Sequence, residues 1–286
     1  MKTQKARLFM LLFSGLILLG CSRYGSELQY VEYGKVHVLI TDAPFPAHLV
    51  DAAYMTVTKI EARGEELEEA SESGGFVTLF EGEETIDITK LTNGMTQSMG
   101  ITEVPVGTYD QVRLYVTDAS VELTDGSTYE VKVPSGAQSG IKIQIRPGLT
   151  VTGELTSELL LDVDLSRSFV LRGNPSKPED ANGLIFKPVV RATNRSTTGS
   201  LAGIVTCESP EPGEPVEGAQ ISLYAADTLY TSAMTDASGG YKIMGIEAGT
   251  FLVVAEKEGY QPAEAESVTI TAANLQTQDF ALQPEP

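Results

Sequence analysis

Apolar and polar residues alternate with a period of two along most of this chain. Val36, Val38 and Ile40 lie on one side of such a segment, and residues 112–116 and 141–145 repeat the pattern. This period is that of a β-strand with one buried and one solvated face. Parallel strands that are covered on both faces would give continuous apolar runs, so the pattern predicts strands of antiparallel type.

Turn residues separate the strand-like segments. Asp125 and Gly126 lie between two such segments and predict a β-hairpin. Helical spacing of apolar residues occurs in one stretch, where Gly94 interrupts it. We therefore expect mostly strands, with one short helical insertion around residues 86–99.

The strand pattern ends at Arg191, and residues 192–200 have mostly short, polar side chains with no apolar period. Such a composition predicts a linker. A length of 286 residues fits about two domains of ~150 residues each. We expect an all-β protein made of two antiparallel β-sandwich domains in series, a first domain at 35–194 and a second domain at 199–286.

The composition limits the classes of partner and chemistry. The chain has 39 Asp and Glu against 20 Lys and Arg, a formal net charge of −19. Such a charge repels polyanions, so we expect no nucleic-acid partner. With 2 Cys, 2 His and no Trp, few residues can build a zinc site, and we expect no cofactor. Cys207 lies in a strand-like run and is expected to be a small buried hydrophobic residue.

The N-terminus has the pattern of a signal peptide. Three basic residues precede an apolar run at residues 8–20, which is too short to span ~30 Å of hydrocarbon as a helix. The run ends in Leu18-Leu19-Gly20-Cys21, which resembles the bacterial lipobox. That resemblance implies cleavage after residue 20, lipidation of Cys21, anchoring to a membrane through the N-terminal lipid, and a tether at residues 21–34. Ser22 favours the outer membrane by the same resemblance. The alternative is an ordinary secreted protein with an incidental cysteine.

The second domain contains an ordered set of glycine, aromatic and strand segments, at residues 203–205, 215–223, 235–241, 249–251 and 259–260. In order and spacing these segments resemble the carboxypeptidase regulatory-like domain, a transthyretin-like β-sandwich. The resemblance implies the fold and is nearly silent on activity. Some of these domains are grouped with carbohydrate-binding folds, which implies glycan binding by analogy of fold.

The first domain contains segments at residues 39–44, 104–114, 161–168 and 186–190 that resemble the bacterial lipoprotein domain of unknown function DUF4382. That family is associated with a lipobox and with C-terminal sandwich domains. The resemblance implies no activity.

Two carboxylates in the first domain are candidates for metal binding. Asp162 and Asp164 are at i and i+2 on one strand face, an arrangement that can bind Ca²⁺ or act as an acid and base pair. The favoured alternative is an ordinary solvated strand face. Asp42 and Asp118 each follow a threonine at a strand end and are expected to form hydrogen bonds within their own turns.

The two histidines do not suggest catalysis. His37 is expected to point outward on a strand, and His48 lies in a proline-containing loop. A histidine general base needs an adjacent nucleophile and an orienting partner, and the chain has neither a Gly-x-Ser-x-Gly nor an HExxH motif. Phosphate-binding glycine loops are missing from the sequence as well. We therefore do not expect an enzyme.

These observations favour a lipid-anchored protein of the bacterial cell envelope that acts as a non-catalytic binding module, for a carbohydrate or for another envelope protein. A structural spacer is the alternative, and a hydrolase that uses carboxylates is less favoured. The sequence does not identify ligand-binding residues. We expect a ligand to contact loops or an edge strand, in the second domain rather than the first.

Overall fold

The structure is a computed structural model that describes residues 31–43, 50–65, 74–131, 133, 136–171, 184–208 and 212–285. The expected signal peptide, Cys21, most of the expected tether and His48 lie outside the described residues. None of the described helices is both long enough and apolar enough to cross a membrane.

The described residues of the first domain contain eleven strands, several of which show the expected alternation of buried and exposed residues. In chain order they are β1 (Tyr33–Ala43), β2 (Val50–Gly64), β3 (Phe76–Asp87), β4 (Gln97–Pro105), β5 (Gly107–Leu123), β6 (Thr128–Val131), β7 (Ile141–Val151), β8 (Thr156–Asp164), β9 (Phe169–Leu171), β10 (Leu184–Phe186) and β11 (Val189–Asn194). Two single-turn helices, α1 (Gly136–Ser139) and α2 (Leu165–Ser168), precede β7 and β9.

Nine of these strands form one sheet in the order β3-β2-β5-β7-β11-β8-β1-β4, with β6 paired to β5. The hairpin predicted at Asp125 and Gly126 is confirmed by the antiparallel pairing of β5 with β6. The sheet curves so that its end strands approach each other, and the Thr102 hydroxyl on β4 donates a hydrogen bond of 2.7 Å to the Leu79 carbonyl on β3. The inner face of this sheet forms a continuous apolar core.

The strand pairing is not antiparallel throughout. Strand β1 pairs with β8 in parallel over nine residues, and β11 pairs in parallel with β7. Residues 159–161 of β8 are all leucines with no exposed surface, so both faces of this strand are covered. A continuous apolar run of this kind is typical of a parallel strand buried on both sides.

The helical spacing around residues 86–99 yields much less helix than expected. Only Ile88–Lys90 forms a turn of 3-10 helix, and strand β4 begins at Gln97. Asn93 and Gly94 both have positive φ angles, which end the helix after one turn.

The second domain consists of two facing sheets, in the orders β15-β12-β20-β17, with β19 paired to β12, and β14-β13-β16-β18. Its core is a second apolar cluster, which includes Cys207 at 7% exposure. The strands are β12 (Thr198–Cys207), β13 (Gln220–Ala225), β14 (Thr228–Met234), β15 (Gly240–Glu247), β16 (Gly249–Glu256), β17 (Tyr260–Gln261), β18 (Ala263–Ile270), β19 (Leu275–Thr277) and β20 (Phe280–Pro284).

The segment interpreted as a linker contains the end of β11, a tight turn and the start of β12. Asn194 caps this turn: its carbonyl accepts hydrogen bonds from the Thr197 amide and the Thr198 hydroxyl, and its Oδ1 accepts one from the Ser196 amide. Val31–Pro286 forms one compact unit. Because the turn is short and hydrogen-bonded, the two domains are joined closely rather than by a loose tether.

Candidate functional site

The two domains meet along a contact that we call the seam. Leu39 on β1, Leu160 on β8 and Met244 on β15 form a small apolar cluster, and each is at most 7% exposed. Leu39 and Leu160 occupy the outer face of the first domain's sheet, since their neighbours Val38 and Leu161 belong to its core. The second domain therefore covers an apolar part of that outer face.

A buried ion pair lies beside this cluster. The Arg191 Nη2 donates to Asp162 Oδ2 at 2.7 Å and to the Met244 carbonyl at 3.3 Å. The guanidinium also lies over the Tyr230 ring, 4.9 Å from its centroid, and that ring packs on Phe251. Arg191 thus binds a carboxylate of its own domain together with a carbonyl and an aromatic ring of the other domain.

The seam corrects the expectation that Asp162 lies on a solvated face. Asp162 is only 7% exposed, because the second domain covers the face that the alternation pattern assigned to solvent. Burial raises the pKa of Asp162 above its ordinary value, although Arg191 acts in the opposite direction. Asp164 instead accepts hydrogen bonds from the backbone amide and Nε of Arg167.

Neither carboxylate lies in a metal-binding cluster. No group of three or more His, Cys, Asp or Glu side chains that could hold a metal ion occurs within the described ranges. Asp162 and Asp164 instead form ion pairs with Arg191 and Arg167, and metal binding by these carboxylates stays a prediction.

Asp42 also differs from its expectation. It is 7% exposed, its carboxylate oxygens form no hydrogen bond of good geometry in the described part of the chain, and the nearby Leu165 backbone amide offsets only part of its burial. Burial, together with the nearby charge of Asp162, raises the pKa of Asp42 well above its ordinary value. Asp118, the other aspartate expected to cap a turn, is exposed and lies on β5.

The Gly245 backbone lies close to the Thr193 side chain at the seam. Gly245 has a φ of +67°, and a Cβ at this position would lie 2.5 Å from Thr193 Oγ1. Asn93 Nδ2 also donates to Asp236 Oδ2 at 3.2 Å, which is a further hydrogen bond between the two domains. The seam is therefore held by a close contact and a hydrogen bond in addition to its apolar cluster and ion pair.

A groove of about 380 Å³ opens at the edge of the seam, and we call it the junction groove. Both domains and the turn between them contribute to its lining. The lining residues are Thr156, Glu158, Arg195, Ser196, Thr198, Gly199, Ser200, Lys242, Gly245, Ala273, Asn274 and Leu275.

The lining combines hydroxyl groups, one amide, three charged side chains and an exposed leucine. Arg195 Nη1 donates to Glu158 Oε2 at 2.9 Å, while Lys242 has no ion-pair partner among the described residues. Leu275 is 54% exposed. Backbone hydrogen bonds from Ala273 to the Thr198 carbonyl and from Ser200 to the Asn274 carbonyl hold the walls together. The groove is thus polar and preformed.

A second groove, of about 610 Å³, lies on strands β2, β3, β5 and β6 of the first domain, and we call it the sheet groove. Tyr54, Thr56, Thr85, Asp118 and Glu130 are among its lining residues. The hydroxyls of Thr56 and Thr85 form a hydrogen bond of 2.9 Å with each other. One domain alone builds this groove.

The structure places a serine hydroxyl and a glutamate carboxylate next to His37, for which the sequence showed no nucleophile or orienting partner. Ser98 Oγ lies 2.8 Å from His37 Nε2, and Glu158 Oε1 lies 3.7 Å from His37 Nδ1. These residues are far apart in the chain and no sequence motif connects them. Only the pairing of β1 with both β4 and β8 brings them together.

Comparison with protein families supports both resemblances. The model of the domain of unknown function DUF4382 matches residues 33–188, and that of the carboxypeptidase regulatory-like domain matches residues 200–283. No curated protein matches the chain.

Among solved structures, similarity is low. A candidate carbohydrate-binding protein from Bacteroides uniformis has 22% identity and a TM-score of 0.26, over 30% of this chain and 41% of its own. A cohesin–X-dockerin complex from Acetivibrio cellulolyticus has 24% identity and a TM-score of 0.24, over 29% of this chain and 52% of its own. A minor pilin of Streptococcus agalactiae has 13% identity and a TM-score of 0.26, over 87% of this chain and 96% of its own. The chain thus spans about half or less of the length of the first two.

Proposed function

This chain belongs to the family of the domain of unknown function DUF4382, and from that premise we propose that it is a binding module of the bacterial cell envelope that holds a saccharide in the junction groove. The N-terminal lipid on Cys21 would anchor it, most simply to the outer membrane. Binding in the groove requires no chemical step on the ligand.

The observation that carries this proposal is the composition of the groove at a fixed seam. Ligand sites occur preferentially between domains, and preformed sites avoid the cost of ordering side chains and loops on binding. Ser and Thr hydroxyls and the Asn274 amide can donate and accept hydrogen bonds, as the hydroxyl groups of a sugar do. Leu275 adds an exposed apolar side chain to the same wall.

The charges of the groove favour a saccharide with an acidic substituent. Lys242 and Arg195 are cations in a chain whose formal charge is −19. Arg195 is occupied by Glu158, so Lys242 is the cation available to an anionic ligand. A carboxylate or phosphate group on the ligand would gain a charge-assisted hydrogen bond there.

The test is a glycan array of bacterial envelope saccharides, probed with the wild-type full chain, with Lys242→Ala and with Asn274→Ala. We expect the wild type to bind a subset of acidic saccharides, and each variant to lose about tenfold in affinity, which corresponds to about 1.4 kcal/mol. Lys142→Ala is the matched control, because Lys142 is an exposed lysine on β7 outside the groove.

A structural spacer is the second candidate, and the seam itself favours it. An ion pair, an apolar cluster and a close backbone approach join the domains, as a spacer of fixed length would require. If the wild-type chain binds no saccharide on the array, or if all three variants bind as well as the wild type, saccharide binding in the junction groove is refuted. The spacer function would then be favoured.

A further inference from the structure

Three side chains with the chemistry of an acyl-transfer site lie in a row across β4, β1 and β8. Ser98 Oγ is 2.8 Å from His37 Nε2, and His37 Nδ1 is 3.7 Å from Glu158 Oε1. A hydroxyl, an imidazole and a carboxylate in this order are the parts of a nucleophile, a general base and an orienting group. The second distance is longer than a hydrogen bond, as is often found without substrate.

The strand register produces this row. His37 is paired with Glu158 in the parallel ladder of β1 and β8, so the two side chains share one face. On the other side of β1, the ladder with β4 shifts between Val38 and Leu39, which leaves Met99 as an extra residue between Gly100 and Ser98. A bulge re-aims the side chains beside it. Here it pairs Ser98 with Leu39, on the face of β1 that also carries His37, where an unshifted ladder would pair Ser98 with Ile40 on the opposite face.

Neighbouring groups orient the hydroxyl and the carboxylate. The Gly100 amide donates to Ser98 Oγ at 3.3 Å, which leaves the Ser98 proton to point at His37 Nε2 when His37 carries its own proton on Nδ1. Arg195 binds Oε2 of Glu158 at 2.9 Å and leaves Oε1 for the Nδ1 side of the imidazole. Glu158 is therefore a positioning residue whose carboxylate is itself held in place.

The row is open to a small substrate. Ser98 is exposed, and a Cβ built at Gly100, whose φ is +110°, would have no heavy atom within 4 Å. Ile101, which pairs with His37 across the ladder, is 58% exposed and offers an apolar surface opposite the imidazole. An acyl group can thus reach Ser98 and rest against an apolar side chain.

We propose that Ser98 is a nucleophilic serine that reacts with small carboxylic esters, with His37 as the general base and Glu158 as the positioning residue. Ser98 Oγ attacks the ester carbonyl carbon while its proton passes to His37 Nε2. The ester C–O bond then breaks, and the leaving alkoxide takes that proton as an alcohol. Water, deprotonated by His37, next attacks the acyl-serine, which releases the carboxylic acid and returns the proton to Ser98.

This activity goes beyond the binding function and does not depend on it. Ser98 and His37 are not in the lining of the junction groove, whereas Glu158, Lys242 and Asn274 are, so Glu158 is not used to separate the two proposals. The two proposals have separate readouts: Lys242→Ala is expected to weaken saccharide binding on the array, and Ser98→Ala is expected to abolish labelling at position 98. Failure of one proposal is therefore distinguishable from failure of the other.

The test is labelling of the purified full chain with a fluorophosphonate probe, followed by peptide mass spectrometry. The serine oxygen displaces fluoride from the probe, so an activated serine gains one adduct. We expect an adduct on Ser98 in the wild type and in the control Ser120→Ala, and none at this position in Ser98→Ala. His37→Gln is expected to slow labelling at least tenfold, with added imidazole restoring part of the rate in His37→Ala.

Hydrolysis of p-nitrophenyl acetate gives the second measurement. The rate should fall in Ser98→Ala and in Glu158→Gln, with partial recovery in Glu158→Asp because the shorter carboxylate can still orient the imidazole. A wild-type chain that is not labelled at Ser98, or labelling of Ser98 that is equally fast in His37→Gln, would overturn the proposal. Folding of each variant is checked by circular dichroism, so that loss of reaction is not loss of structure.

Discussion

Replacing Arg191 with methionine removes the guanidinium that binds Asp162 at the seam. Methionine keeps a long apolar side chain against Tyr230 and Met244 but leaves the Asp162 carboxylate buried without its cation. The burial of Asp162 is what makes the change costly. A carboxylate that is 7% exposed cannot recover the lost interaction from water.

The expected magnitude follows from the geometry. At the observed 2.7 Å, two unit charges attract by about 6 kcal/mol at an effective dielectric constant of about 20, before desolvation is subtracted. Removal of one partner of a buried pair costs about 3–5 kcal/mol, because the other charge remains buried. We therefore expect Arg191→Met to lower the free energy of unfolding by about 3–5 kcal/mol.

Two further variants make the result interpretable. The double variant Asp162→Leu, Arg191→Met removes both charges, and we expect it to recover most of the loss, since an apolar replacement of a buried pair is often neutral. Arg167→Met is the matched control, because the Arg167 side chain is 54% exposed in its pair with Asp164. An exposed pair of this kind contributes about 0–1 kcal/mol.

The assay is urea unfolding of the full chain, followed by far-ultraviolet circular dichroism and by tyrosine fluorescence, since the chain has 11 Tyr and no Trp. A shift of the midpoint at constant slope measures the change in stability. A loss below about 1 kcal/mol in Arg191→Met, equal to that of Arg167→Met, would refute the reasoning. So would a double variant that is less stable than Arg191→Met alone.

Three other changes test separate parts of the structure. Asp42→Asn is expected to raise the free energy of unfolding by about 1–3 kcal/mol at pH 8, because burial and the nearby charge of Asp162 disfavour the charged form of the wild-type carboxyl group. The pKa of Asp42 in the native state is raised above its ordinary value of 3.8, so between these two pKa values the native state binds more protons than the unfolded state. Wild-type stability therefore rises as the pH falls through this interval, and the advantage of asparagine should shrink. Urea midpoints that keep the same difference between the two proteins at pH 8 and pH 5 would contradict this. Gly245→Ala is expected to lower stability by more than the ~1–2 kcal/mol of a left-handed backbone alone, because the new Cβ would meet Thr193. The control Gly126→Ala should show only the backbone cost, since a Cβ there has no heavy atom within 4 Å. Equal losses of stability in thermal unfolding would count against the close approach. Cys21→Ala is expected to abolish incorporation of labelled palmitate, and equal incorporation in both proteins would disprove lipidation at that residue.

Much of the fold follows from local pattern. The alternation around Val38 and Ile40 locates β1 and its buried face, and Asp125 and Gly126 locate a hairpin. These features depend on residues that are close in sequence, which is why period and turn chemistry predict them.

The seam could not be predicted from the alternation of apolar and polar residues. The second domain covers part of a strand face that would be exposed to water in the first domain alone. One signal was present in the sequence. The three leucines at 159–161 interrupt the alternation and indicate a strand that is covered on both faces, which would have placed Asp162 in a buried environment.

The row of Ser98, His37 and Glu158 could not be found in the same way. Ser98 and His37 are 61 positions apart, and a bulge at Met99 decides whether they meet. A bulge inserts one residue into a ladder without a sequence signature strong enough to fix its position. Only the pairing of three strands, seen together, identifies the constellation.

Hydrogen–deuterium exchange of the full chain, with and without a mixture of acidic envelope oligosaccharides, tests the proposed binding site most directly. Binding in the junction groove should slow exchange in the turn around residues 194–200 and in residues 271–276, because both segments contribute residues to the lining. The sheet groove, measured in peptides that cover residues 117–131, should not change. Protection confined to the sheet groove, or no protection at saturating oligosaccharide, would contradict a saccharide site at the junction of the two domains.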